Sequence, residues 1–508
     1  MAGRDLALRA RWEGVLECRS PLHVGGLEGG VVDLPLARDG LGRYHVPGSS
    51  LAGALRAWAA TRAGWPTEAV TRLFGGSEGS DVGASRLLIE DAPVEGVPVV
   101  EVRDGVGIDR RRGTAAEMVK FDRMVFPRGT RLRLRLSLEL PGGATDDLDR
   151  VRQLLGALAA GEVRIGAARS AGLGQVVLAE VRERLERLDS RSGLLRLLRG
   201  EGWTAPVLPS RSGSPDLSIE IDWEPDQPVM MASGLVGGSA DVVPLTSGLG
   251  VRRPVLTGTA LKGVLRSRAE RIVRTLLGRE APGRLLEQVR VPLVEHLFGS
   301  DGVSARGPGT SGGEPEPPAG SGQGAADGDE RLGRGAILVH ECYAEVGIPA
   351  ASWEAMLTAD TPDQLREAMP AELRTTWAQA FHVGIDRWTG GAADQLLFSA
   401  VEPWDLSWDR LRIEVDRSRL PEEVRAPCLA LLLLVVRDLA LGRLPLGWAT
   451  RRGYGAIVVR EVRVATPAEE ARAGRAEIGA RGLAELLPVL RADRVAEGWS
   501  EWVKARRR

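Results

Sequence analysis

The chain has 508 residues, 43% of them hydrophobic and 27% charged, with a formal net charge of -1. At roughly 100–200 residues per domain, that length divides into two to four domains of ordinary soluble, globular composition. The near-zero charge excludes a global basic field, so any polyanion site must be a local concentration of cations.

Those cations are nearly all arginine; lysine occurs only at Lys120, Lys262 and Lys504. Guanidinium forks suit phosphate and base stacking, although a coding bias toward Gly, Ala and Arg gives the same composition. Cys18, Cys342 and Cys428 are widely spaced and form no CxxC. That pattern argues against a zinc site or disulfide framework and fits a reducing cytoplasm. The opening "MAGRDLALRARWEG" lacks an apolar signal core. The longest apolar run, "CLALLLLVV" (428–436), falls short of the roughly 20 residues a bilayer span needs, so it predicts a buried helix and no membrane partner.

In chain order, the alternating "LALRARWEGVLEC" (6–18) predicts a strand. "LHVGGLEGGVVDLPL" (22–36) follows as a glycine-rich loop ending near Asp33, and "VPGSSLAGALRAWA" (46–59) as a turn opening a helix. Then come "LFGGSEG" (73–79), a strand-like "SRLLIEDA" (85–92) and "VGIDRRRGTAAEMVKFDRMVF" (106–126) with a polar loop. "RLRLRLSLEL" (131–140) alternates strictly and predicts a strand with one wet face. "IGAARSAGLGQVVL" (165–178) is a glycine-rich turn before a strand.

After residues 190–216, a short helix and loose linker, the same landmarks recur in the same order. "LSIEIDWEP" (217–225) predicts a strand, and "MASGLVGGSADVVPL" (231–245) repeats GLxGGxxD and ends near Asp241. "LTGTALKGVLRSRA" (256–269), "LFGSDG" (297–302), "GAILVHEC" (335–342), "VGIDRWTGGAADQLLF" (383–398) and "LGWATRRGYGAIVV" (446–459) complete the second set. The chain therefore reads as two tandem copies, 1–189 and 217–470. Residues 303–334, rich in Gly, Pro and Ser, predict a disordered insertion in the second. Residues 471–508 form a tail whose 482–508 stretch predicts an amphipathic helix packed on its own domain. Strands interleaved with two helices per copy predict an α+β fold with helices on one side of an antiparallel sheet. That is the ferredoxin-like, RNA-recognition-motif-like arrangement, in tandem and with loop and thumb insertions.

The helix-opening turns place Ser49 and Ser50, or Thr257 and Thr259, at N-cap positions, with Gly48 or Gly258 allowing the tight turn. Helix N-termini of this kind favour phosphate, and Arg56 and Lys262 lie on the helices that follow; an ordinary capped helix reads the same way. In the late glycine loops, Arg169, Arg451 and Arg452 suit phosphate contacts. His23 reads as a local hydrogen-bonding or RNA-contacting residue beside the glycines. His45, His296, His340 and His382 show no metal-ligand spacing.

As an ordered set, these motifs resemble the RAMP superfamily backbone subunit of type III CRISPR effector complexes, with two copies fused over roughly residues 10–180 and 217–463. The resemblance implies a fold lying along a CRISPR guide RNA, with thumb-like hairpins after each VGIDR and other type III effector subunits as partners. It also implies a loop aspartate that cuts complementary target RNA with a divalent metal, Mg²⁺ first. That role falls on Asp33, whose Asp33-Leu34-Pro35 matches the family spacing, and then on Asp241, where Asp241-Val242-Val243-Pro244 carries one extra residue. RNA-contacting positions fall on Gly29, Gly30, Gly237 and Gly238 in the loops and on Arg110, Arg111, Arg112 and Arg387 in the thumbs. Two other readings stand beside this one: an RNA-binding scaffold that cuts nothing, and a metal-independent guide-processing nuclease using Tyr44 and His45 as an acid–base pair.

Overall fold

A computed structural model describes residues 6, 8–26, 32–76, 84–141, 145–209, 216–235, 237–300, 333–465, 474–477 and 494–507. Most of the predicted insertion and the first part of the tail helix lie outside these residues.

The first half contains β1 (Leu8–Cys18), α1 (Gly48–Thr61), β2 (Leu87–Ile89), β3 (Glu101–Ile108), β4 (Ala115–Val125), β5 (Arg131–Leu140), α2 (Thr145–Ala159) and β6 (Val176–Arg187). Four of these strands form an antiparallel sheet in the order β2-β5-β1-β6, with Trp203–Thr204 added beyond β6. The strict alternation of 131–140 is realised: Leu132, Leu134, Leu136, Leu138 and Leu140 are buried. They pack with Ala10, Trp12 and Leu16 of β1 against Leu51, Leu55 and Trp58 of α1 and Val151, Leu154 and Leu155 of α2. The opposite face of the sheet is wet and carries ion pairs such as Arg182–Glu13 at 2.5 Å and Arg131–Glu180 at 2.8 Å.

The second half repeats this layout. It holds β7 (Leu217–Pro225), α3 (Gly258–Leu277), β8 (Ile337–Val339), β9 (Trp377–Ile385), β10 (Ala392–Pro403), β11 (Leu411–Val415), α4 (Glu422–Ala440), β12 (Ile457–Ala465) and α5 (Val495–Arg506). Its sheet runs β8-β11-β7-β12, the same strand order, followed by Gly474–Glu477. The apolar run 428–436 lies in α4 and is mostly buried. No described helix is long and apolar enough to cross a membrane. α5 packs on α4, burying Val495 and Trp502 in the second core. All three cysteines are free and buried.

Irregularities repeat as faithfully as the order. The β1–β6 register slips between Val15 and Leu16, and the β7–β12 register slips between Asp222 and Trp223, the corresponding step. In the hairpins, the β3–β4 register breaks between Val106 and Ile108, and the β9–β10 register breaks between Val383 and Ile385. Bulges re-aim strands at fixed points, so two copies of one backbone plan are present down to its defects.

The first hairpin, β3–β4, lies across the second half. Glu101 accepts hydrogen bonds from the Gly248 N–H and the Arg252 guanidinium, each at 3.0 Å. Arg103 is buried between Glu101 and Glu341. At the hairpin tip, Arg110 Nε donates to Glu270 Oε2 at 2.7 Å, and the Arg110 N–H donates to Gln288 Oε1 at 2.7 Å. Glu270 is fully buried and also receives Arg266 at 3.0 Å. Removing one partner of a buried ion pair costs about 3–5 kcal/mol because the other charge is left unpaired. Glu270→Ala is therefore expected to destabilise the protein by about that amount and to raise amide exchange in the 105–115 hairpin tip. Both are read by urea unfolding followed with hydrogen-exchange mass spectrometry.

Candidate nucleic-acid interface

Three landmarks far apart in the first copy line one groove. Val24 and Gly25 of the early loop, Ser50 and Gly53 of α1, and Gly166 and Arg169 of the late glycine loop share its walls. A backbone bond from the Ala167 N–H to the His23 carbonyl, 2.9 Å, ties two of them. Gly48 sits where a Cβ would collide with the Ile89 carbonyl, and its N–H donates to Asp91 Oδ1 at 2.7 Å. Ala168 adopts the left-handed region at φ 53°, ψ 28°, and its counterpart Ala449 has the same angles. Non-glycine residues take that conformation at a cost, so the surroundings hold the loop in shape in both copies.

His23 lies beneath the groove and is buried, with Nδ1 2.7 Å from the Met124 carbonyl. Burial lowers its pKa below the ordinary histidine value. It joins the early loop to the hairpin and is no surface contact. Arg56 is exposed on α1. Gly29 and Gly30 lie outside the described residues.

In the second copy, Thr259, Lys262 and Gly263 line a cavity with Arg334 and with Ser170 of the first copy's glycine loop. Lys262 Nζ donates to Ser170 Oγ at 2.9 Å. A Cβ on Gly258 would collide with the carbonyls of Ala171 and Val339, so the first copy's loop packs directly on the start of α3. Thr257 caps α3, its side chain accepting from the Ala260 N–H at 3.3 Å. The other three predicted caps differ. Pro47 holds the N-cap position of α1 without a side-chain bond, and Ser49, Ser50 and Thr259 fall inside the first helical turns. Both helices start at the glycine, Gly48 or Gly258, so the hydroxyls that follow it lie within the helix.

Asp33 and Asp241 occupy equivalent places. The Asp33 N–H donates to Asp122 Oδ1 at 2.6 Å, and the Asp122 N–H donates to Asp33 Oδ2 at 2.9 Å. The Ser399 N–H donates to Asp241 Oδ2 at 2.7 Å, with the Ser399 hydroxyl 3.2 Å from the same oxygen. Parallel bridges Leu34–Arg123 and Val242–Ala400 put both loops in one register on β4 and β10. The extra residue before Pro244 therefore leaves Asp241 where Asp33 is. The two copies differ instead in the partner, a second carboxylate at Asp122 against a hydroxyl at Ser399. Both partners follow a phenylalanine, Phe121 or Phe398, so aligning the two hairpins residue by residue reveals them. Asp33 and Asp241 are exposed.

The hairpin tips divide their predicted residues. Arg110 is committed to Glu270, whereas Arg111, Arg112 and Arg387 are exposed. The aspartate of each VGIDR closes its own turn. Asp109 Oδ1 accepts from the N–H groups of Arg111 at 2.7 Å and Arg112 at 2.9 Å, and Asp386 Oδ1 accepts from the Trp388 N–H at 2.9 Å. Gly237 and Gly238 give their N–H groups to the carbonyls of Ala240 and Leu357, at 2.9 Å each. Arg451 reaches the first hairpin, donating to the Arg112 carbonyl at 2.9 Å. Arg452 lies over the Phe398 ring, 5.2 Å from its centroid.

Beside Arg452, an aromatic cluster has no counterpart in the first copy. His382 stacks on Phe398 with centroids 5.0 Å apart, and Trp448 meets both Phe398 and Tyr454 edge-on. His382 Nε2 lies 2.9 Å from Glu402, which also accepts from the Tyr454 hydroxyl. The corresponding residues of the first copy are Gly105, Ala167 and Leu173. Tyr44 and His45 form no open acid–base pair: Tyr44 packs edge-on against Phe126 and His45 is buried.

Among the described residues, no three His, Cys, Asp or Glu side chains converge as a metal site. Asp33 and Asp122 each commit one carboxylate oxygen to a backbone N–H.

A family model described as the RAMP superfamily matches residues 15–177 and 224–321, just over half of the chain. The chain belongs to the RAMP superfamily. RAMP proteins generally bind CRISPR RNA and other effector subunits, and a CRISPR-associated RNA-binding role follows for this member. No curated protein matches the chain.

The corrected caps make a direct test. Thr257→Ala removes a capping acceptor and is expected to cost about 1 kcal/mol, while Ser50→Ala, which removes no cap, leaves the urea midpoint close to wild type.

Proposed function

We propose that this chain is a guide-RNA-binding backbone subunit of a type III CRISPR complex, built from two tandem ferredoxin-like domains, that cleaves complementary target RNA. The strand order shared by the two sheets supports the domain reading: 1–189 and 217–470, joined by 190–216 and followed by a helical tail. The guide would lie in the groove beside Ser50, Gly166 and Arg169, where cations and backbone groups contact phosphates without reading sequence.

The observation that carries cleavage is the Asp33–Asp122 pair, an exposed loop carboxylate and a half-buried strand carboxylate locked to one another's backbone at 2.6 and 2.9 Å. The remaining oxygens of Asp33 and Asp122 would hold one Mg²⁺, with waters and substrate phosphates completing its oxygen ligands. When bound, the cation supplies charge stabilisation at the phosphate under attack. The chain's own part is positional: the reciprocal bonds hold the Asp33 carboxylate, and the Leu34–Arg123 bridge fixes its register on β4. The second copy, with Ser399 in place of the second carboxylate, is the weaker cutter.

A scaffold that binds RNA and cuts nothing has one observation in its favour. Both Asp33 and Asp241 already do structural work as acceptors for strand N–H groups. The same experiment separates the readings. In the assembled complex with matched target and Mg²⁺, Asp33→Ala is expected to lose one cleavage position by on the order of 100-fold or more, at least about 2.7 kcal/mol of barrier at tenfold per 1.36 kcal/mol, while guide binding stays intact. Target left whole by the wild-type complex would establish the scaffold instead. Ser399→Asp rebuilds the carboxylate pair in the second copy and is expected to strengthen cleavage at the second position, read as the ratio of the two products on a sequencing gel.

A further inference from the structure

Between the two copies lies a cavity of about 180 Å³, walled by Ala54, Ala57 and Trp58 of α1 on one side and by Ala336, Leu338 and Val415 on the other. Arg164 and Arg169 enter it from the first copy, and Arg334 and Arg419 from the second. Three carboxylates also face it, and each has a partner. Glu414 lies 2.6 Å from His340 Nε2, Asp416 holds Ser418 and, at 3.3 Å, Arg419, and Glu162 accepts from Trp58 Nε1 at 3.2 Å. Arg164 reaches only the Gly172 carbonyl among the described residues, at 3.4 Å. Arg169 and Arg334 make no ion pair with any described residue.

Three guanidiniums are thus drawn together from two halves of the chain; Glu414 acts on Arg164 and Asp416 on Arg334 through charge, but none of the three is bonded to a described carboxylate. Arginine does not shed its charge, and planar forks match phosphate oxygens in pairs. The environment already weighs against the cations: burial, then the neighbouring Arg419 and Arg169, pushes Arg334 down to about 10, and burial lowers Arg164 and Arg169 as well. We propose that this seam is an anion site in which Arg164, Arg169 and Arg334 together hold one phosphate group. Ala54, Ala57 and Arg169 also line the groove of the first copy. A strand in that groove therefore passes through Arg169 to the seam, which makes an RNA backbone phosphate the source where the guide-RNA reading holds; free phosphate is the other source. The anion site itself stands on the cavity's charge and not on that reading.

The test uses the full chain and two variants, Arg334→Gln at the open rim and Arg164→Gln within. Melting is followed in inorganic phosphate and in chloride of equal ionic strength, and binding of a single-stranded RNA is followed across a salt series. Wild type is expected to melt higher in phosphate than in chloride, and each variant to lose that difference while melting no lower than wild type in chloride. With an RNA backbone as the source, each variant also lowers the slope of log affinity against log salt by about 0.7. Loss of the phosphate shift with an unchanged RNA slope supports the site and assigns it to free phosphate. A phosphate shift in wild type without any RNA binding retains the site and sinks the guide-RNA reading. Equal responses of wild type and variants to phosphate overturn the proposal, as does a lower melting point of both variants in chloride, because the arginines would then be structural.

Discussion

The relation between the two halves rests on the first hairpin and its buried charges. Glu101, Arg103 and Glu341 form a run of alternating charge away from solvent, and Arg110 with Glu270 closes the far end. Each charge is tolerable there only because its neighbour is present, and each partner comes from the other half or from the hairpin itself. Buried pairs add little net stability but penalise misregistration heavily. The hairpin is therefore a gauge: it sets the spacing at which the first copy's glycine loop meets the start of α3, and with it the geometry of the seam.

The second hairpin, β9–β10, follows the same backbone plan with different chemistry. Ala378 and Ala380 stand where the first hairpin has Glu101 and Arg103. Its surface is open, with Phe381 64%, Leu397 68% and Trp388 95% exposed. The charged ladder thus belongs to the internal junction alone. The bulges, the left-handed alanines and the turn-closing aspartates recur in both copies, whereas the side chains that face a neighbour do not. Backbone irregularities follow from the shape the unit must take, and surface side chains follow from what each unit meets.

Much of this was legible in the sequence, because the landmarks are local. Glycines that permit close approach, strict alternation in 131–140 and the apolar run of α4 each act within a few residues of themselves. The duplication was legible for the same reason. Less legible was whatever needs two distant segments to meet. Asp122 reads as one more charge on a strand until β4 lies beside the early loop. His23 looks like a surface ligand until its ring is buried against the Met124 carbonyl. Arg110 looks like its neighbours Arg111 and Arg112, yet only its side chain finds Glu270. The cap positions misled for a smaller reason: hydroxyls mark the first turn of a helix, and only the backbone decides which residue stands at its end.

The proline spacing separates the two copies more in sequence than in structure. One extra residue before Pro244 departs from the spacing kept at Asp33. The bonds from β10 override it, since the Val242 N–H donates to the Ser399 carbonyl at 3.0 Å and the Val401 N–H donates to the Val242 carbonyl at 2.9 Å. Two ladder bonds hold the aspartate in register, and the added residue is absorbed on the way to the proline. Any functional inequality between the copies then has to arise from what the aspartate faces. A carboxylate beside Asp33 and a hydroxyl beside Asp241 differ by a full charge, a larger change in the local field than a shift in a downstream turn.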